Sequence, residues 1–403
     1  MATATGLLAA IADVGVDRVR GGYSRHGFDR DELALREWFV GEATARGLDV
    51  EVDRNGNIWA WWGRPGPDAV VTGSHLDSVP GGGAFDGPLG VVAALAAVDG
   101  LRARGFVPAR PLAVVVFAEE EGGRFGVPCL GSRLLAGTID PDAARRLRDR
   151  DGTTVADAAR AAGLDPDRMG RDDEALGRIG QFVELHVEQG RGLVDLGRAV
   201  GVASTILAHG RWRFRFTGEG NHAGATPITD RHDPMLPASR LVLAARSAAS
   251  ALPGARATVG RLVPVPGGTN VIASTVDVWL DARAADDGTT RAVVADITAA
   301  AREAAAAEGC QVEVTEESYG DTVFFDPVLR DELAGLLGGA PALPSGAGHD
   351  AGILAARVPT AMLFVRNPTG ISHAPAEHAE PADCEAGVDA LVAVLAHLAG
   401  DGR

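Results

Sequence analysis

GSHLDSVPGGGAFDGPLG, residues 73–90, combines a histidine, two aspartates and a run of glycines in one short stretch. It follows the apolar run AVVT and leads into an apolar segment that begins at Pro88. An apolar strand that ends in polar residues, followed by a helix, is typical of the carboxyl edge of an open α/β sheet. The stretch therefore predicts a strand, a polar loop and a helix.

Three interpretations of this polar loop compete: a phosphate-binding loop, an ordinary glycine-rich turn, or half of a metal site. Gly81 and Gly83 supply two glycines of a dinucleotide-binding loop, but the third position is Asp86, whose carboxylate would repel a pyrophosphate. A turn before a capped helix is the plain alternative. Residues two apart on a strand share a face, so Asp77 can orient the imidazole of His75, as metal-binding histidines require.

Other apolar runs also end in polar residues. RPLAVVVFAEEEGG, residues 110–123, ends in three glutamates, GQFVELHVEQG carries His186, and GISHAPAEH places His373 in a loop after the last run. Taken singly, these residues suit a solvated acidic cluster or a structural histidine equally well. Together with His75 and Asp86 they provide nitrogen and oxygen ligands that suit Zn²⁺, Mn²⁺ or Co²⁺. Five such groups hold two metals only if one carboxylate bridges them.

Composition excludes several classes of function. The chain has 403 residues, a net charge of −16 and no lysine, which argues against a nucleic-acid-binding surface, a lysine-dependent phosphate loop and Schiff-base chemistry. Its three cysteines form neither a disulfide framework nor a CxxC metal site. The N-terminal apolar run lacks a basic leader, so we expect an amphipathic helix rather than a signal peptide, and a cytoplasmic protein without a membrane span.

Periodicity predicts two domains. Helical spacing covers residues 33–48, and strands flank the turn at Asn55-Gly56. From residue 210 the order changes to β-α-β-β-α-β, the ferredoxin-like split unit. Its elements are expected at 210–218, 234–252, about 256–265, 271–283, 290–308 and 310–317. We predict an α/β domain over 1–208 and 324–403, an open mixed sheet flanked by helices, and an inserted α+β domain over 209–323.

The chain resembles the dinuclear metallo-amidohydrolases of the hydantoinase/carbamoylase type, which include allantoate amidohydrolase, N-carbamoyl-L-amino-acid hydrolase and β-ureidopropionase. This family is related to the aminoacylases and carboxypeptidase G and has a zinc-exopeptidase-like fold. The matching stretches occur in family order from residue 73 to residue 377. They are GSHLDSVPGGGAFDGPLG, EEEGGRFG, ELHVEQG, GNHAGATPI, GGTNVI, LDAR, SGAGHDAG and GISHAPAE.

The resemblance implies two divalent metal ions per subunit, zinc or manganese with cobalt as a third candidate. Asp86 is implied as the bridge between them. His75 and His186 then complete one site, and Glu121 and His373 the other.

The resemblance also implies the catalytic groups. Glu120 is the implied general base, with Asp77 supporting His75. The triple glutamate leaves the register open, and aligning the following G-x-R-F assigns the last two glutamates to the site. A cis peptide is implied after the bridging aspartate, at Asp86–Gly87.

Substrate contacts are implied from both domains. His222 and Asn270 of the inserted domain would contact the scissile carbonyl, Arg283 would bind the substrate carboxylate, and Gln189 the ureido group. The plain alternatives are a turn residue for Asn270 and a surface arginine for Arg283. The inserted domain is also expected to form the dimer contact and to act as a lid.

Two regions receive no role. GGYSRHGFDRDEL, residues 21–33, stands where many relatives have a Thr-Arg pair, so no substrate contact is assigned there. His349 and Asp350 are also left without a role.

We therefore expect a hydrolase that cleaves the ureido C–N bond of a small carboxylate, releasing ammonia and carbon dioxide. Allantoate is favoured because GISHAPAEH and RNPT look closer to the allantoate type, and N-carbamoyl-L-amino acids or N-carbamoyl-β-alanine are the alternatives. A dipeptidase or aminoacylase is a more distant possibility, and a metal-free binding protein a third class. The expected assembly is a homodimer, without nucleic acid or membrane partners.

Overall fold

The computed structural model describes residues 3–400 and residue 402. The chain forms two compact units, of which the first runs to Thr205 and resumes at Phe324, and the second comprises Ile206–Val323. The strands are β1 Asp49–Val52, β2 Ile58–Trp62, β3 Ala69–His75, β4 Leu112–Phe117, β5 Ile179–Val187, β6 Val200–Ile206, β7 Ala208–Thr217, β8 Asn221–His222, β9 Arg256–Val265, β10 Val271–Ile272, β11 Thr275–Ala284, β12 Gln311–Gly320, β13 Val323–Phe324, β14 Ala342–Ser345 and β15 Thr360–Val365.

The α-helices vary from one to six turns. They are α1 Ala4–Ala10, α2 Arg30–Ala45, α3 Pro88–Ala103, α4 Leu130–Ala136, α5 Pro141–Arg146, α6 Val155–Ala161, α7 Asp173–Leu176, α8 Gly192–Asp195, α9 Met235–Ala251, α10 Asp287–Ala307, α11 Pro327–Leu336, α12 Asp350–Leu354 and α13 Pro381–Ala399. Among the described residues, none of these helices is both long and apolar enough to cross a membrane.

The described residues of the first unit form a nine-stranded mixed sheet in the order β1-β2-β4-β3-β5-β15-β6-β13, with β14 paired to β6. Its four central strands, β4, β3, β5 and β15, are parallel. Every residue of β3, β4 and β15 is buried, as expected for parallel strands covered on both faces. The predicted open mixed sheet flanked by helices is confirmed.

The main core of the first unit lies on one face of this sheet. Helices α1, α2, α3 and α13 pack there against alternate valines and leucines of β3, β4 and β5. Trp59, Phe117 and Phe182 occupy the opposite face, where Phe117 meets the other two rings edge-on at 6.5 and 5.8 Å between centroids. The sheet is thus held rigidly between two apolar layers, and its carboxyl edge is free to carry polar side chains.

In the inserted unit, the described residues form a four-stranded antiparallel sheet in the order β12-β7-β11-β9. Alternate side chains of β7, including Phe214 and Phe216, pack with α9 and α10 into a separate core. The order β7-α9-β9-β11-α10-β12 confirms the ferredoxin-like expectation. A short pairing of β8 with β10 lies outside this sheet. The roles of this unit in dimer contact and closure stay predictions.

The helix expected near the N-terminus is present as α1 over Ala4–Ala10, and turns follow it (residues 1 and 2 lie outside the described range). Two other expectations about local structure are wrong. The strand expected at 271–283 divides into β10 and β11, because Ser274 instead donates its N–H to Val265. Asp86–Gly87 is not cis: within the described chain the cis bond is Val265–Pro266, and Gly87 makes its turn with φ +85°.

Truncating Phe182 should destabilise the first unit, since its ring is fully buried and packs edge-on against Phe117. Phe182→Ala is expected to lower the free energy of unfolding by about 3–5 kcal/mol. Chemical denaturation followed by tryptophan fluorescence would measure this. Val19→Ala, at a position 91% exposed, is the control, and equal stability of the two variants would contradict the expectation.

Candidate metal centre

The chemistry-bearing residues meet at the carboxyl edge of the four parallel strands. His75 is the last residue of β3, Glu119–Glu121 follow β4, His186 is the penultimate residue of β5, and His373 lies in the loop after β15. Neighbouring parallel strands end on the same side of a sheet, which is why segments far apart in the chain meet here. Asp86 joins them because the loop after β3 returns to the start of α3.

Asp86 stands between two groups of candidate ligands. In one group His75, Asp86 and His186 offer atoms that lie within 4.8 Å of one another, and in the other Asp86, Glu121 and His373 do the same. Oδ1 of Asp86 is 3.2 Å from His186 Nε2, and Oδ2 is 3.5 Å from His373 Nε2. Each carboxylate oxygen therefore faces a different histidine, an arrangement suited to a bridge.

The histidines direct a specific nitrogen into each group. His75 Nδ1 donates to the carbonyl of Asp77 at 3.0 Å, and His186 Nδ1 donates to the carbonyl of Val187 at 2.9 Å. The Nδ1 proton fixes the tautomer, so Nε2 of each ring is the atom available as a ligand. His186 Nε2 is buried and makes no hydrogen bond within the described structure. Such an orphaned nitrogen beside carboxylates fits a divalent cation.

The charges of the cluster depend on one another. Burial alone would raise the pKa of Asp86, but the imidazoles of His186, His75 and His373 hold it below its ordinary value. Burial lowers the pKa of His186, yet the facing carboxylate of Asp86 outweighs this effect and raises the pKa to about 9. The buried carboxylate of Asp86 and the buried imidazole of His186 therefore stabilise each other's charged forms, whereas His373 on the other side of Asp86 is exposed.

Glu120 and Glu121 turn toward this cluster, and Glu119 turns away. Glu121 Oε2 is 3.4 Å from His373 Nε2, and Glu120 Oε2 is 3.5 Å from His75 Nε2. Glu119 instead accepts the backbone N–H groups of Gly27, Arg124 and Phe125. This is the register that the G-x-R-F alignment favours.

Asp77 does more than the sequence suggested. Its carboxylate lies 3.5 Å from His75 Nδ1, farther than its own backbone carbonyl, and accepts the N–H groups of Glu120 at 3.1 Å and Glu121 at 3.0 Å. The expectation that the carboxylate is the main partner of His75 is therefore modified. Asp77 ties the end of β3 to the end of β4 and thereby orients both glutamates.

Glu120 has the environment of a proton carrier. Only 5% of the residue is exposed, and burial raises the pKa of Glu120 to about 7, with His75 lowering it and Asp77 raising it. A carboxylate with a pKa near neutrality both accepts and returns a proton readily. The arrangement can therefore support hydrolytic acid–base chemistry.

Gln189 lies beside the bridging aspartate. Its Nε2 donates to Asp86 Oδ2 at 2.9 Å and to Ser372 Oγ at 2.8 Å. Its Oε1 is buried and has no hydrogen-bond partner among the described residues. The Gln189 side chain is therefore held through its amide nitrogen, while its amide oxygen is an acceptor without a partner among the described residues.

The predicted substrate residues of the inserted unit lie in two places. His222 lies in β8 and Asn270 directly precedes β10, and Ala223 N–H donates to the carbonyl of Asn270. Gly224 and Ala225 donate their N–H groups to His222 Nδ1, so a neutral His222 carries its proton on Nε2. Arg283 lies on β11 and forms two hydrogen bonds with Asp281.

Sequence reasoning missed Glu377 and Ser372, although both belong to the quoted stretch GISHAPAE. Glu377 is buried, and its Oε1 accepts the N–H groups of Phe85 at 3.0 Å and Asp86 at 2.9 Å. Ser372 Oγ reaches Asp86 Oδ2 at 3.2 Å and Glu377 Oε2 at 3.3 Å. A Cβ at Gly83 would lie 2.2 Å from the Glu377 carboxylate, which explains that glycine. Glu377 lies four residues after His373, but its partners are backbone amides, which leave no signal in the sequence.

His349 also belongs to the surroundings of the centre. Its ring centroid is 4.5 Å from that of His186, and its Nε2 is 2.9 Å from Ser345 Oγ. With Glu184 and His186 it forms a third group of potential ligand atoms. Glu184 already accepts hydrogen bonds from Ser74 Oγ and Ala351 N–H. Its carboxylate therefore links β3 and β5 to the start of α12.

Comparison with known proteins shows the family of this chain. The model of the family described as Peptidase family M20/M25/M40 matches residues 71–397. An N-carbamoyl-L-amino acid amidohydrolase from Geobacillus stearothermophilus is 38% identical over 393 residues, 94% of either chain. An allantoate amidohydrolase from Escherichia coli (strain K12) is 33% identical, covering 94% of this chain and 93% of its own. A solved hydantoinase/carbamoylase family amidase from Burkholderia vietnamiensis gives a TM-score of 0.88 at 32% identity, covering 99% and 97%.

The chain belongs to the M20/M25/M40 peptidase family. The relatives just named place it among the amidohydrolases of that family, and the prediction of a hydrolase of non-peptide C–N bonds is confirmed. The resemblance to the hydantoinase/carbamoylase type is likewise confirmed.

Removing the Glu377 carboxylate should loosen the loop that carries Asp86. Glu377→Ala is expected to weaken divalent-metal affinity about 10- to 100-fold, the usual effect of losing a group that orients a metal ligand. Titration with Zn²⁺ or Mn²⁺ in competition with a chelating dye would measure this. Glu380→Ala, three positions along and exposed, is the control, and identical affinities in both variants would contradict the role of Glu377.

Proposed function

We propose that this chain is a metal-dependent amidohydrolase that cleaves the ureido C–N bond of a small carboxylate, with allantoate as the first candidate. The observation that carries the proposal is the position of Asp86 between two histidine–carboxylate groups, with the buried Glu120 beside them. Hydrolysis of a carbamoyl compound of this kind yields ammonia, carbon dioxide and the freed amine.

His75 and His186 would hold one divalent cation, and Glu121 and His373 a second, with Asp86 binding both. Two such cations, zinc, manganese or cobalt, polarise the substrate carbonyl and make water more acidic. The nitrogen and oxygen donors, without thiolate, suit all three metals. The five ligand residues of the chain would fix where the two cations lie.

Glu120 is the proposed general base. It takes a proton from the attacking water and returns it to the nitrogen that leaves, so that the leaving group departs as a neutral amine. Burial excludes competing solvent from the carboxylate and keeps its pKa near neutrality.

Gln189 is the proposed contact for the ureido group. A ureido NH₂ group is a hydrogen-bond donor, and Gln189 Oε1 is a buried acceptor that lacks a partner among the described residues. The bonds from Gln189 Nε2 to Asp86 and Ser372 hold this acceptor close to the metal ligands. The position of the Gln189 amide, and with it the proposed substrate contact, therefore depends on its hydrogen bond to Asp86.

The inserted unit supplies the remaining proposed contacts. His222 Nε2–H and the Asn270 amide are donors suited to a developing oxyanion, an effect worth roughly 3–4 kcal/mol for each donor. Arg283 is proposed to bind the substrate carboxylate, for which a planar guanidinium has the matching geometry. A homodimer formed through this unit remains part of the proposal.

N-carbamoyl-L-amino acids are the second candidate substrates. The relative of that name is 38% identical to this chain, and the allantoate amidohydrolase is 33% identical. Allantoate is retained as the first candidate because of the stretches GISHAPAEH and RNPT. Both compounds present a ureido group and a carboxylate, so the same site residues would serve either.

A substrate panel tests the reaction. Enzyme stripped by a chelator is expected to be inactive and to recover ammonia release when Mn²⁺, Co²⁺ or Zn²⁺ is added, since the histidines and carboxylates need a cation to act together. The panel contains allantoate, N-carbamoyl-L-amino acids, N-carbamoyl-β-alanine, an acylated amino acid and a dipeptide. A highest kcat/KM with N-carbamoyl-L-amino acids would move the assignment to the second candidate, and cleavage of only the acyl or peptide substrates would refute ureido hydrolysis.

Glu120→Gln tests the proton carrier. The amide cannot accept the proton, so kcat should fall about 10²- to 10⁴-fold while metal content stays at the wild-type level. Glu119→Gln is the matched control, because it changes a neighbouring buried glutamate that faces backbone amides instead of the cluster. Near-normal turnover by Glu120→Gln would place the base elsewhere.

A further inference from the structure

A buried thiol lies against the proposed general base. Cys129 Sγ is 3.2 Å from Glu120 Oε1, and the two residues are 3% and 5% exposed. The other carboxylate oxygen, Oε2, lies 3.5 Å from His75 Nε2. The two oxygens of Glu120 therefore have different partners, one facing the thiol and the other the metal-ligand cluster.

The backbone holds Cys129 in this position. Cys129 N–H donates to the carbonyl of Glu120, Leu130 N–H to that of Glu119, and Gly131 N–H to that of Ala118. The start of α4 thus pairs with the chain that leaves β4. Cys129 has φ +56°, a left-handed conformation that costs a residue with a Cβ roughly 1 kcal/mol or more. This pairing therefore keeps the thiol in place against a local conformational cost.

A second contact anchors the same residue from the other side. Arg133 N–H donates to the carbonyl of Cys129 at 2.8 Å, and the neighbouring Ser132 Oγ donates to the buried carboxylate of Asp350. Cys129 is therefore held through both its N–H and its carbonyl, and its side chain has little freedom to move away from Glu120.

The direction of the hydrogen bond follows from chemistry. Burial, with the nearby charge of Glu120, raises the pKa of Cys129 well above its ordinary value, so the sulfur keeps its proton and donates it. The terminal torsion of a glutamate is broad and roughly twofold, so its carboxylate does not choose an orientation unaided. A fixed donor on one oxygen sets the plane of the carboxylate and thereby directs the other oxygen toward the metal-ligand cluster.

We propose that Cys129 is a positioning residue for the general base: its thiol fixes the rotation of the Glu120 carboxylate and presents Oε2 to the reacting water. This inference rests on the proposed function, because it takes Glu120 as the base. A thiol is a weak donor, so it orients the carboxylate without engaging it as strongly as a hydroxyl would. If Cys129 only filled space, alanine and serine would perturb the enzyme through packing alone.

The test compares Cys129→Ala with Cys129→Ser in the metal-loaded enzyme, using ammonia release from the best substrate of the panel. Alanine removes the donor and should lower kcat about five- to tenfold, the value of one modest hydrogen bond, with KM and metal content unchanged. Serine restores a donor and should recover kcat to within about twofold of wild type. Cys384→Ala, a buried cysteine on α13 away from the cluster, is the control.

The outcomes separate the two proposals. Full activity of Cys129→Ala, or equal losses with alanine and serine, would overturn the positioning role while Glu120→Gln stays inactive. A change confined to KM, metal content or melting temperature would overturn it as well. Adding Cys129→Ala to Glu120→Gln should leave the residual rate unchanged, because the thiol acts through that carboxylate. Full turnover by Glu120→Gln alone would instead refute the proposed base.

Discussion

The carboxylate of Asp86 is the interaction on which the site depends. Its two oxygens face different histidines, and its charge raises the pKa of His186, whose imidazolium in turn stabilises the carboxylate. Asp86 and His186 are both buried, and an unpaired charge in such a position is costly. The charged groups therefore have to be paired with one another when they become buried. The carboxyl ends of the parallel strands hold His75 and His186 close enough to Asp86 for this pairing.

Around this carboxylate, most of the ordering comes from backbone contacts. Asp77 accepts the N–H groups of Glu120 and Glu121, and Glu377 accepts those of Phe85 and Asp86. Carboxylates that bind backbone amides fix the path of the chain as well as the side chains. The positions of the ligands on these segments are thus set by three loops, after β3, β4 and β15, that are tied to one another.

Much of this could be predicted from the sequence. Apolar runs that end in His75, Glu121 and His186 predict the strands and the edge at which they meet, and alternation predicts the ferredoxin-like insertion. The short helices α4–α7 could not be predicted, because one or two turns give too little periodicity. The roles of Asp77 and Glu377 were also out of reach: their partners are backbone amides, which carry no signature in the sequence.

The bond between Glu377 and the amide of Asp86 joins positions 291 residues apart. The His75–Asp86–His186 group lies within the first half of the chain, whereas His373 and the support for Asp86 come from its last tenth. Closing so long a loop carries an entropic cost that local contacts do not repay. During synthesis, the complete centre therefore forms only after the ribosome has released nearly the whole polypeptide, so a chain that stops early carries no finished hydrolytic site.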